Sequence, residues 1–362
     1  MIYLHVGLGK CGSSTIQHFA TVHSEALREA GVTYPALNGR HPEHHKTLCD
    51  FAINSARRGA KPPQAIAALL AELRERPDAA MLLSSENFLK HEPRRAASVA
   101  TAMRALLGQA PVRILIYIRQ YPSWVESLYA QRTKRGENAE SIDGFIRDRQ
   151  ILDNVSMVSG LKEWIRVFGA ENIRLRSLDR ANLVGGDLIT DLLDAIELRS
   201  DMPAMPRVNE SPDWTFLELA RLIASRRPDQ SESTQLMFRT WLKRLAEATG
   251  AALQRADVKA PKPQYLTQAD WLLLSTLYNS DVTQINGLLP GHAVPLLNGS
   301  LIPERVSAPS FDAIPDDVWS VYREVIGNGK LLLRMPEPVR NAIRPILKLR
   351  RKRLRRTSVA AH

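Results

Sequence analysis

The sequence predicts an α/β protein with a central parallel sheet flanked by helices, followed by a mainly helical region. In the first 200 residues, short apolar runs alternate with longer stretches whose apolar residues recur at helical spacing. The runs are almost continuously apolar and rich in β-branched residues, as expected for strands buried on both faces of a sheet. The predicted strands are Ile2–Val6, Val32–Tyr34, Ala79–Ser84, Val112–Ile118 and Ile173–Leu178.

Helical periodicity fills the segments between these strands and most of the chain after residue 212. The predicted helices of the first part are Ser14–Ala30, Pro63–Arg76, Arg94–Leu107, Ser123–Arg135, Val158–Phe168 and Gly186–Ile196. Those of the second part are Trp214–Ser225, Ser231–Thr249, Gln268–Gly287 and Asp316–Ile326.

Three prolines in 201–212 indicate a linker or an ordered surface loop, and a segment rich in Pro, Ser and Gly, 289–317, is expected to be irregular. We therefore expect a core at 1–200, a helical extension packed on it at 201–330, which is a candidate acceptor region, and a basic tail at 331–362.

Length and composition are those of an ordinary globular protein. With 362 residues, of which 44% are hydrophobic and 24% charged, the chain is long enough to bury a sizeable core. No apolar run approaches the roughly 18 residues of a membrane-spanning helix. The chain begins directly with a strand, so the sequence predicts a cytoplasmic protein. Two cysteines exclude a disulfide framework as the basis of folding.

Positive charge is concentrated near the C-terminus. The net charge is +11, and residues 340–356 hold nine cations and no acid, which leaves +2 for the rest of the chain. A nucleic-acid enzyme would spread basic charge over its binding face, so no nucleic-acid partner is expected. The tail could dock on anionic lipid at the inner face of a membrane, or it could be a solvated tail.

A glycine-rich turn lies between the first strand and the first helix. It reads Gly7-Leu-Gly-Lys10-Cys-Gly-Ser-Ser-Thr15. Glycines let the backbone approach a phosphate, and the N–H groups of the first helical turn, Gly12 to Thr15, can bind it with the help of the helix dipole. Lys10 adds a charge, and Ser13 and Ser14 add hydroxyl donors. The alternative is an ordinary glycine turn. The turn departs from the Walker A pattern, in which Lys directly precedes the hydroxyl residue.

A second strand-to-helix junction carries an arginine. The strand Val112–Ile118 ends in Arg119, and Ser127 follows eight residues later on the next predicted helix. The guanidinium group presents a planar fork of donors that suits phosphate, and Ser adds a neutral hydrogen bond. The alternative is a solvated surface arginine.

These two motifs together resemble sulfotransferases that use 3′-phosphoadenosine 5′-phosphosulfate. The order Lys10-x-Gly-Ser-Ser14 resembles their 5′-phosphosulfate loop, and Arg119 with Ser127 resembles their 3′-phosphate site. The segments 161–173 and 209–211 are similar to bacterial carbohydrate-type members, so the resemblance covers about residues 1 to 215. It implies a P-loop-NTPase-like fold.

The resemblance also implies a reaction and a set of contacts. The donor would be 3′-phosphoadenosine 5′-phosphosulfate, the product adenosine 3′,5′-bisphosphate, and no metal is required. The donor would be bound by a set of loop and strand-end residues: Lys10, Cys11, Gly12, Ser13, Ser14, Thr15, Arg119 and Ser127. Many cytosolic relatives have an adenine-stacking Trp where Thr15 stands, so the adenine contact must lie elsewhere.

The residue proposed as catalytic base is Glu86, which follows the strand that begins at Ala79. In sulfotransferases a Glu or His in this neighbourhood takes the proton of the acceptor hydroxyl; the alternative is a helix-capping or ion-paired acid. His5 is expected to be a core residue. His41, His44 and His45 are expected to form part of the acceptor rim or a solvated loop, since the sequence completes no metal site around them.

Cys11 has two interpretations. A thiol at a helix N-terminus tends to have a lowered pKa, whereas a small residue that simply fits the turn has no chemical role. Cys49 is expected to be in the core or half-buried.

The sequence thus predicts transfer of sulfonate to a hydroxyl of a carbohydrate-like, glycolipid or small-molecule acceptor, with Lys10 and Glu86 as catalytic residues. Two alternatives remain. A nucleotide-dependent phosphoryl transferase would need an Asp at a neighbouring strand end as a Mg²⁺ ligand, and the two candidate strands, which end in Ser-Ser-Glu and Tyr-Ile-Arg, lack it. A non-catalytic nucleotide-binding scaffold held at a membrane by its tail would need no such Asp and no catalytic base.

Overall fold

The computed structural model describes residues 1–37, 44–58, 61–76, 79–89, 92–148, 156–198, 213–226, 232–259, 265–289, 291, 294–297, 309–327, 337, 340–341 and 343–346. These residues form two compact units. The first falls within Met1–Trp124, Leu152–Asn209 and Leu272–Ser300, and the second within Val125–Ile151, Glu210–Trp271 and Leu301–His362. The division predicted at residues 200 and 330 stays a prediction.

A five-stranded sheet forms the centre of the first unit. Its strands are β1 (Ile2–Val6), β2 (Val32–Thr33), β3 (Ala80–Ser85), β4 (Val112–Ile118) and β5 (Ile173–Ser177). Their order across the sheet is β2-β3-β1-β4-β5, and every neighbouring pair is parallel. All of β1 is buried, in keeping with its continuous apolar run. The predicted fold class, an α/β protein with a parallel sheet flanked by helices, is confirmed.

The helices are numbered in chain order. In the part of the chain up to residue 209 they are α1 (Ser13–Val22), α2 (Ser24–Glu29), α3 (Lys46–Arg58), α4 (Gln64–Glu75), α5 (Pro93–Leu107), α6 (Tyr121–Lys134), α7 (Ile142–Arg147), α8 (Val158–Phe168) and α9 (Leu188–Ala195). Beyond it lie α10 (Trp214–Ser225), α11 (Glu232–Ala256), α12 (Gln268–Leu288) and α13 (Asp316–Gly327). Short 3₁₀ turns occupy Ala170–Asn172, Arg180–Asn182, Val184–Gly186 and Phe311–Ala313.

The strand order assigns the helices of the first unit to the two faces of the sheet. The connection from β1 to β2 and the connection from β3 to β4 cross the sheet in opposite directions. Because parallel crossovers are right-handed, the helices of these two connections cover opposite faces. In agreement, α1 packs against α9, whereas α5 packs against both α3 and α8.

The same strand order creates a crevice at one edge of the sheet. Strands β1 and β4 are neighbours, but the chain continues from β1 to β2 at one lateral edge of the sheet and from β4 to β5 at the other. Ligands of open α/β sheets bind outside the carboxyl ends of two such strands. The glycine turn follows β1 and Arg119 follows β4, so the topology brings both predicted phosphate sites to this crevice.

The second unit has its own hydrophobic core, in which α11 packs against α13. This core contains the aromatic side chains Trp214, Phe216, Phe238, Trp241, Phe311, Trp319 and Tyr322. It also contains Ile343 and Ile346, whose side chains are 1% and 0% exposed. These two isoleucines belong to the segment predicted to be a basic tail, so the start of that segment is part of the folded unit. Residues 347–362 lie outside the described residues.

Several predicted elements differ from the structure. The single helix predicted over Ser14–Ala30 is two helices, because the dihedrals of His23 (φ −104, ψ 23) are not helical. The helix predicted from Gly186 begins at Leu188, where the Asp187 side chain caps the N–H groups of Ile189 and Thr190.

Other helices were missed or ended too early in the prediction. Two helices, α3 and α7, were not predicted: α3 begins in a polar, histidine-rich segment, and α7 has only six residues. Helix α11 continues past Thr249 to Ala256, because Gly250 does not interrupt it. Among the described residues, no helix combines the length and the apolar character that crossing a membrane requires.

Candidate phosphate-binding site

The glycine turn between β1 and α1 forms a tight loop whose backbone is held at several points. The N–H of Gly7 donates to Ser85 O at 3.1 Å, which ties the start of the loop to the end of β3. Lys10 and Gly12 both have left-handed backbone conformations, with φ of 69° and 85°. For Lys10 this conformation costs about 1–2 kcal/mol, so the surrounding contacts must hold it.

The hydrogen bonds within the loop decide which amides remain to bind an anion. The N–H of Cys11 donates to Leu8 O at 3.2 Å, and that of Thr15 donates to Gly12 O at 3.0 Å. Within residues 7–16, all of which the structure describes, the amides of Gly12, Ser13 and Ser14 have no backbone acceptor. The amides of Leu8 and Gly9 also have no backbone acceptor, but only Gly12, Ser13 and Ser14 are consecutive donors at the start of α1, where an anion is favoured.

Both conformation and packing disfavour a side chain at Gly12. A Cβ atom at this position would lie 2.6 Å from Cδ2 of Leu188 and 3.3 Å from Cδ1 of Leu178. Leu188 is the first residue of α9, the helix that packs against α1. The start of α1 thus lies against α9, and a side chain at Gly12 would require Leu188 to move.

The connection from β4 to α6 contacts the loop through two side chains. Nη1 of Arg119 donates to Lys10 O at 3.4 Å, and Nε1 of Trp124 donates to Gly9 O at 2.9 Å. The first contact brings together Lys10 and Arg119, the charged residues of the two predicted phosphate sites. Sequence reasoning missed Trp124; its place on the helix that follows Arg119 was the available signal.

Two further side chains at the start of α6 are fixed by carboxylates. Nε2 of Gln120 donates to Asp179 Oδ2 at 2.7 Å, and the Tyr121 hydroxyl donates to Asp281 Oδ2 at 2.5 Å. Asp179 lies just beyond the end of β5. The orientation of the Arg119 segment is therefore set by hydrogen bonds from the two residues that follow it.

Ser127 lies on α6, eight residues after Arg119, and its side chain is half-buried. The helix passes from the first unit to the second after Trp124, so Ser127 belongs to the second unit. Its binding to a 3′-phosphate stays a prediction.

Glu86 follows β3 directly and is exposed. Because β3 is hydrogen-bonded to β1 along its length, residues that follow the two strands come out side by side. The Ser13 hydroxyl donates to Oε2 of Glu86 at 3.4 Å. The carboxylate predicted to be the base is thus adjacent to the first hydroxyl of the loop.

Two of the histidines are core residues. His5 is fully buried, as predicted, and its Nδ1 lies 2.8 Å from the Ser84 hydroxyl, which also accepts from Gln17 Nε2 at 3.3 Å. The expectation that His45 belongs to an acceptor rim or a solvated loop is wrong, because it is fully buried as well. Burial lowers the pKa of both imidazoles to about 4.

The reason for the burial of His45 lies in the length of β2. This strand pairs with β3 only at Ala80 and Met81, so the outward-facing backbone of Ser84 has no strand partner on that side. His45 takes the place of a strand: its N–H donates to Ser84 O at 3.0 Å, and its Nδ1 accepts from the Ser84 N–H at 2.9 Å. His44 is half-buried, and His41 lies outside the described residues.

Cys11 is not an activated thiol. Burial raises its pKa to about 12, and the nearby charges of Arg119 and Lys10 offset this only in part. Of the two interpretations of Cys11, the structure supports the small residue that fits the turn, because the side chain is buried there. Cys49 is buried as predicted. In the part of the chain that the structure describes, no three His, Cys, Asp or Glu side chains are grouped as metal ligands.

The comparisons with known proteins give one structural likeness. The crystal structure of a sulfotransferase from Alicyclobacillus acidocaldarius is similar to this chain with a TM-score of 0.38 and 14% sequence identity, over 65% of this chain and 98% of that one. No protein-family model matches the chain, and no curated protein matches it.

Proposed function

We propose that this protein is a sulfotransferase that moves a sulfonate group from 3′-phosphoadenosine 5′-phosphosulfate to a hydroxyl group. The acceptor would be a carbohydrate, a glycolipid or a small molecule. One observation carries the proposal: Arg119, at the end of β4, contacts the loop carbonyl of Lys10 at 3.4 Å. The guanidinium group is thus next to the backbone of the residue whose ammonium group would meet the 5′-phosphate, which supports binding of a nucleotide with phosphates on both its 5′ and 3′ positions.

The loop supplies the groups that a 5′-phosphosulfate needs. The amides of Gly12, Ser13 and Ser14 are aligned at a helix N-terminus, where the helix dipole favours negative charge. Lys10 adds a full positive charge, and the exposed Ser14 adds a hydroxyl donor. No acidic residue occupies the first turn of α1, and the carboxylate next to that turn is Glu86, the proposed base, whose Oε2 accepts from the Ser13 hydroxyl at 3.4 Å.

The proposed reaction is an in-line displacement at sulfur. The acceptor oxygen forms a bond to sulfur while the bond between sulfur and the bridging oxygen breaks, and the electron pair of that bond passes to the 5′-phosphate. Glu86 takes the proton of the acceptor hydroxyl. Lys10 and the loop amides stabilise the negative charge that gathers on the leaving phosphate. The products are a sulfate ester and adenosine 3′,5′-bisphosphate.

Isothermal titration of the protein with adenosine 3′,5′-bisphosphate, AMP and ATP tests this proposal. We expect the bisphosphate to bind more tightly than AMP, since only the bisphosphate engages Arg119. Equal affinity for the two would contradict the assignment of Arg119 and Ser127 to the 3′-phosphate. Transfer of ³⁵S from the labelled donor to a panel of hydroxyl compounds then identifies the acceptor.

A metal-dependent phosphoryl transferase is the second candidate, and the contact between Ser13 and Glu86 favours it. In P-loop phosphoryl transferases a loop hydroxyl and an Asp at a strand end together hold Mg²⁺, and here Glu86 stands in place of that Asp. The Ser13 hydroxyl and the Glu86 carboxylate, 3.4 Å apart, would be two of the ligands of that ion. Tight binding of ATP that requires Mg²⁺, without a preference for the 3′-phosphorylated nucleotide, would support this candidate over the first.

A further inference from the structure

The candidate phosphate loop, residues 7–15, has a strained backbone that must be held in place by contacts with the rest of the first unit. Lys10 has a left-handed backbone, which a residue with a side chain adopts only when its surroundings enforce it. The peptide groups on either side of Lys10 must therefore be fixed.

The peptide after Lys10 is fixed at both ends. Its carbonyl accepts from Arg119 Nη1 at 3.4 Å, and its N–H, which belongs to Cys11, donates to Leu8 O at 3.2 Å. Arg119 is also the residue proposed to bind the 3′-phosphate. When the guanidinium group binds a ligand instead of the Lys10 carbonyl, the conformation of Lys10 depends on its other contacts.

The peptide before Lys10 is fixed by Trp124. Its carbonyl, that of Gly9, accepts from Trp124 Nε1 at 2.9 Å, a short and direct hydrogen bond. The indole is only 8% exposed, so an N–H that lost this acceptor would lack water as a replacement. The backbone N–H of Trp124 in turn donates to Gln120 O at 2.9 Å within the first turn of α6.

We infer that Trp124 is a positioning residue of the phosphate loop. Its indole N–H holds the Gly9 carbonyl, and thereby keeps Lys10 in the conformation from which its ammonium group and the amides of Gly12 to Ser14 meet the donor. Trp124 does not touch the reacting atoms. The inference rests on the proposed function only in the identity of that donor, because the hydrogen bond to the loop exists without it.

A matched pair of variants tests the inference. Trp124→Phe removes the indole N–H while leaving an aromatic ring. Trp164→Phe is the control: Trp164 is also buried in the first unit, and its indole N–H has no partner among the residues that the structure describes. Both variants lose similar packing volume, and only Trp124→Phe loses a bond to the loop.

Two measurements separate loop positioning from general stability. In hydrogen–deuterium exchange of the ligand-free protein, we expect the amides of residues 9–15 to exchange about fivefold faster in Trp124→Phe than in Trp164→Phe, the factor that one hydrogen bond provides. Affinity for adenosine 3′,5′-bisphosphate should fall by a similar factor in Trp124→Phe alone. Trp124→Phe should also lose more Tm than Trp164→Phe, because only the first variant gives up a hydrogen bond, so loop positioning is read from exchange that is faster at residues 9–15 than in the rest of the first unit.

The outcomes are distinguishable. If residues 9–15 exchange equally in the two variants, Trp124 does not position the loop and the inference is wrong. If the wild type binds no bisphosphate, the proposed function is wrong, and the exchange experiment still decides the role of Trp124. Should Trp124→Phe fail to fold, benzothienylalanine at position 124 replaces the N–H by sulfur at nearly constant shape, and the same fivefold change is expected.

Discussion

The hydroxyl of Ser13 donates to Oε2 of Glu86 at 3.4 Å, and this contact joins the loop after β1 to the chain segment after β3. Strands β1 and β3 are paired from Ile2 and Met81 to Val6 and Ser85, so the two residues emerge together at the carboxyl edge of the sheet. The candidate base is therefore adjacent to the loop that would hold the sulfonate donor, and its role can be tested apart from binding.

Glu86→Gln should lower kcat at least about a hundredfold and leave the affinity for adenosine 3′,5′-bisphosphate nearly unchanged. The amide oxygen can still accept from Ser13, but the side chain can no longer take a proton. The control is Glu25→Gln, which changes an exposed glutamate that pairs with Arg28 on α2. A Glu86→Gln enzyme that keeps most of its turnover would assign the base to another residue. Loss of nucleotide binding would mean that Glu86 shapes the loop instead.

Arg119→Ala should weaken binding of adenosine 3′,5′-bisphosphate by about 1.5–3 kcal/mol and leave binding of AMP nearly unchanged, because a charge-assisted hydrogen bond to the 3′-phosphate is lost. Titration calorimetry measures both. Arg113→Ala is the control, since Arg113 lies near the opposite end of β4 and pairs with Glu197. A parallel loss for both nucleotides would show that Arg119 supports the loop through Lys10 rather than the 3′-phosphate.

Lys10→Ala should abolish sulfonate transfer, because the charge that gathers on the leaving phosphate loses its main cation. The variant keeps the left-handed strain at this position, so its fold should survive as well as that of the wild type. Steady-state turnover measures the loss of sulfonate transfer, and thermal unfolding of the same samples measures whether the fold survives. Appreciable turnover would remove Lys10 from the catalytic residues.

Gly12→Ala should destabilise the protein and abolish bisphosphate binding. The left-handed backbone costs an alanine about 1–2 kcal/mol, and the added methyl group would lie 2.6 Å from Leu188. Gly9→Ala is the matched control, because a methyl group there meets nothing within 4 Å. The free energy of unfolding in urea should fall in the first variant and stay within about 0.5 kcal/mol of the wild type in the second. Equal stability of the two variants would contradict the packing against α9.

Stability should decrease as the pH falls below about 6.5, because His5 and His45 are buried in their neutral forms. Burial lowers the pKa of each to about 4, so between pH 6.5 and pH 4 the unfolded chain binds protons that the folded protein does not. The stabilisation is complete above pH 6.5 and is lost progressively down to about pH 4. Urea unfolding at several pH values measures the slope of the free energy of unfolding against pH. His5→Phe should reduce this slope, because one fewer histidine binds a proton only in the unfolded chain. An unchanged slope would mean that His5 is protonated in the folded state.

Removal of residues 347–362 should abolish salt-sensitive flotation with vesicles that contain phosphatidylserine. These residues carry seven cations and no acid, each worth about 1 kcal/mol near an anionic surface. The thermal stability of the truncated protein should match that of the full chain. Truncation after Pro338, by contrast, removes the buried Ile343 and Ile346 and should lower the Tm. Flotation that is weak in the full chain, or unchanged by the shorter truncation, would identify a solvated tail.

The sequence by itself determined the parallel sheet and the two junctions that carry the candidate site. Long apolar runs such as β1 and β4 are readable because burial on both faces of a sheet permits few other residues, and the spacing of Lys10, Gly12 and Ser13 after a strand is a local pattern. Arg119 was found in the same way, from its position at a strand end. These features depend on neighbours in the chain.

The contacts that complete the site depend on residues far apart in the chain, and only the tertiary structure decided them. The bond from Trp124 to Gly9 spans 115 residues, and the pairing of His45 with Ser84 exists because β2 is too short to cover the end of β3. The thiol of Cys11 shows the same limit: its position near a helix N-terminus predicts a lowered pKa, but its complete burial raises it. Burial and long-range hydrogen bonds arise from how the strands and helices pack, so a pattern of neighbouring residues in the chain does not predict them.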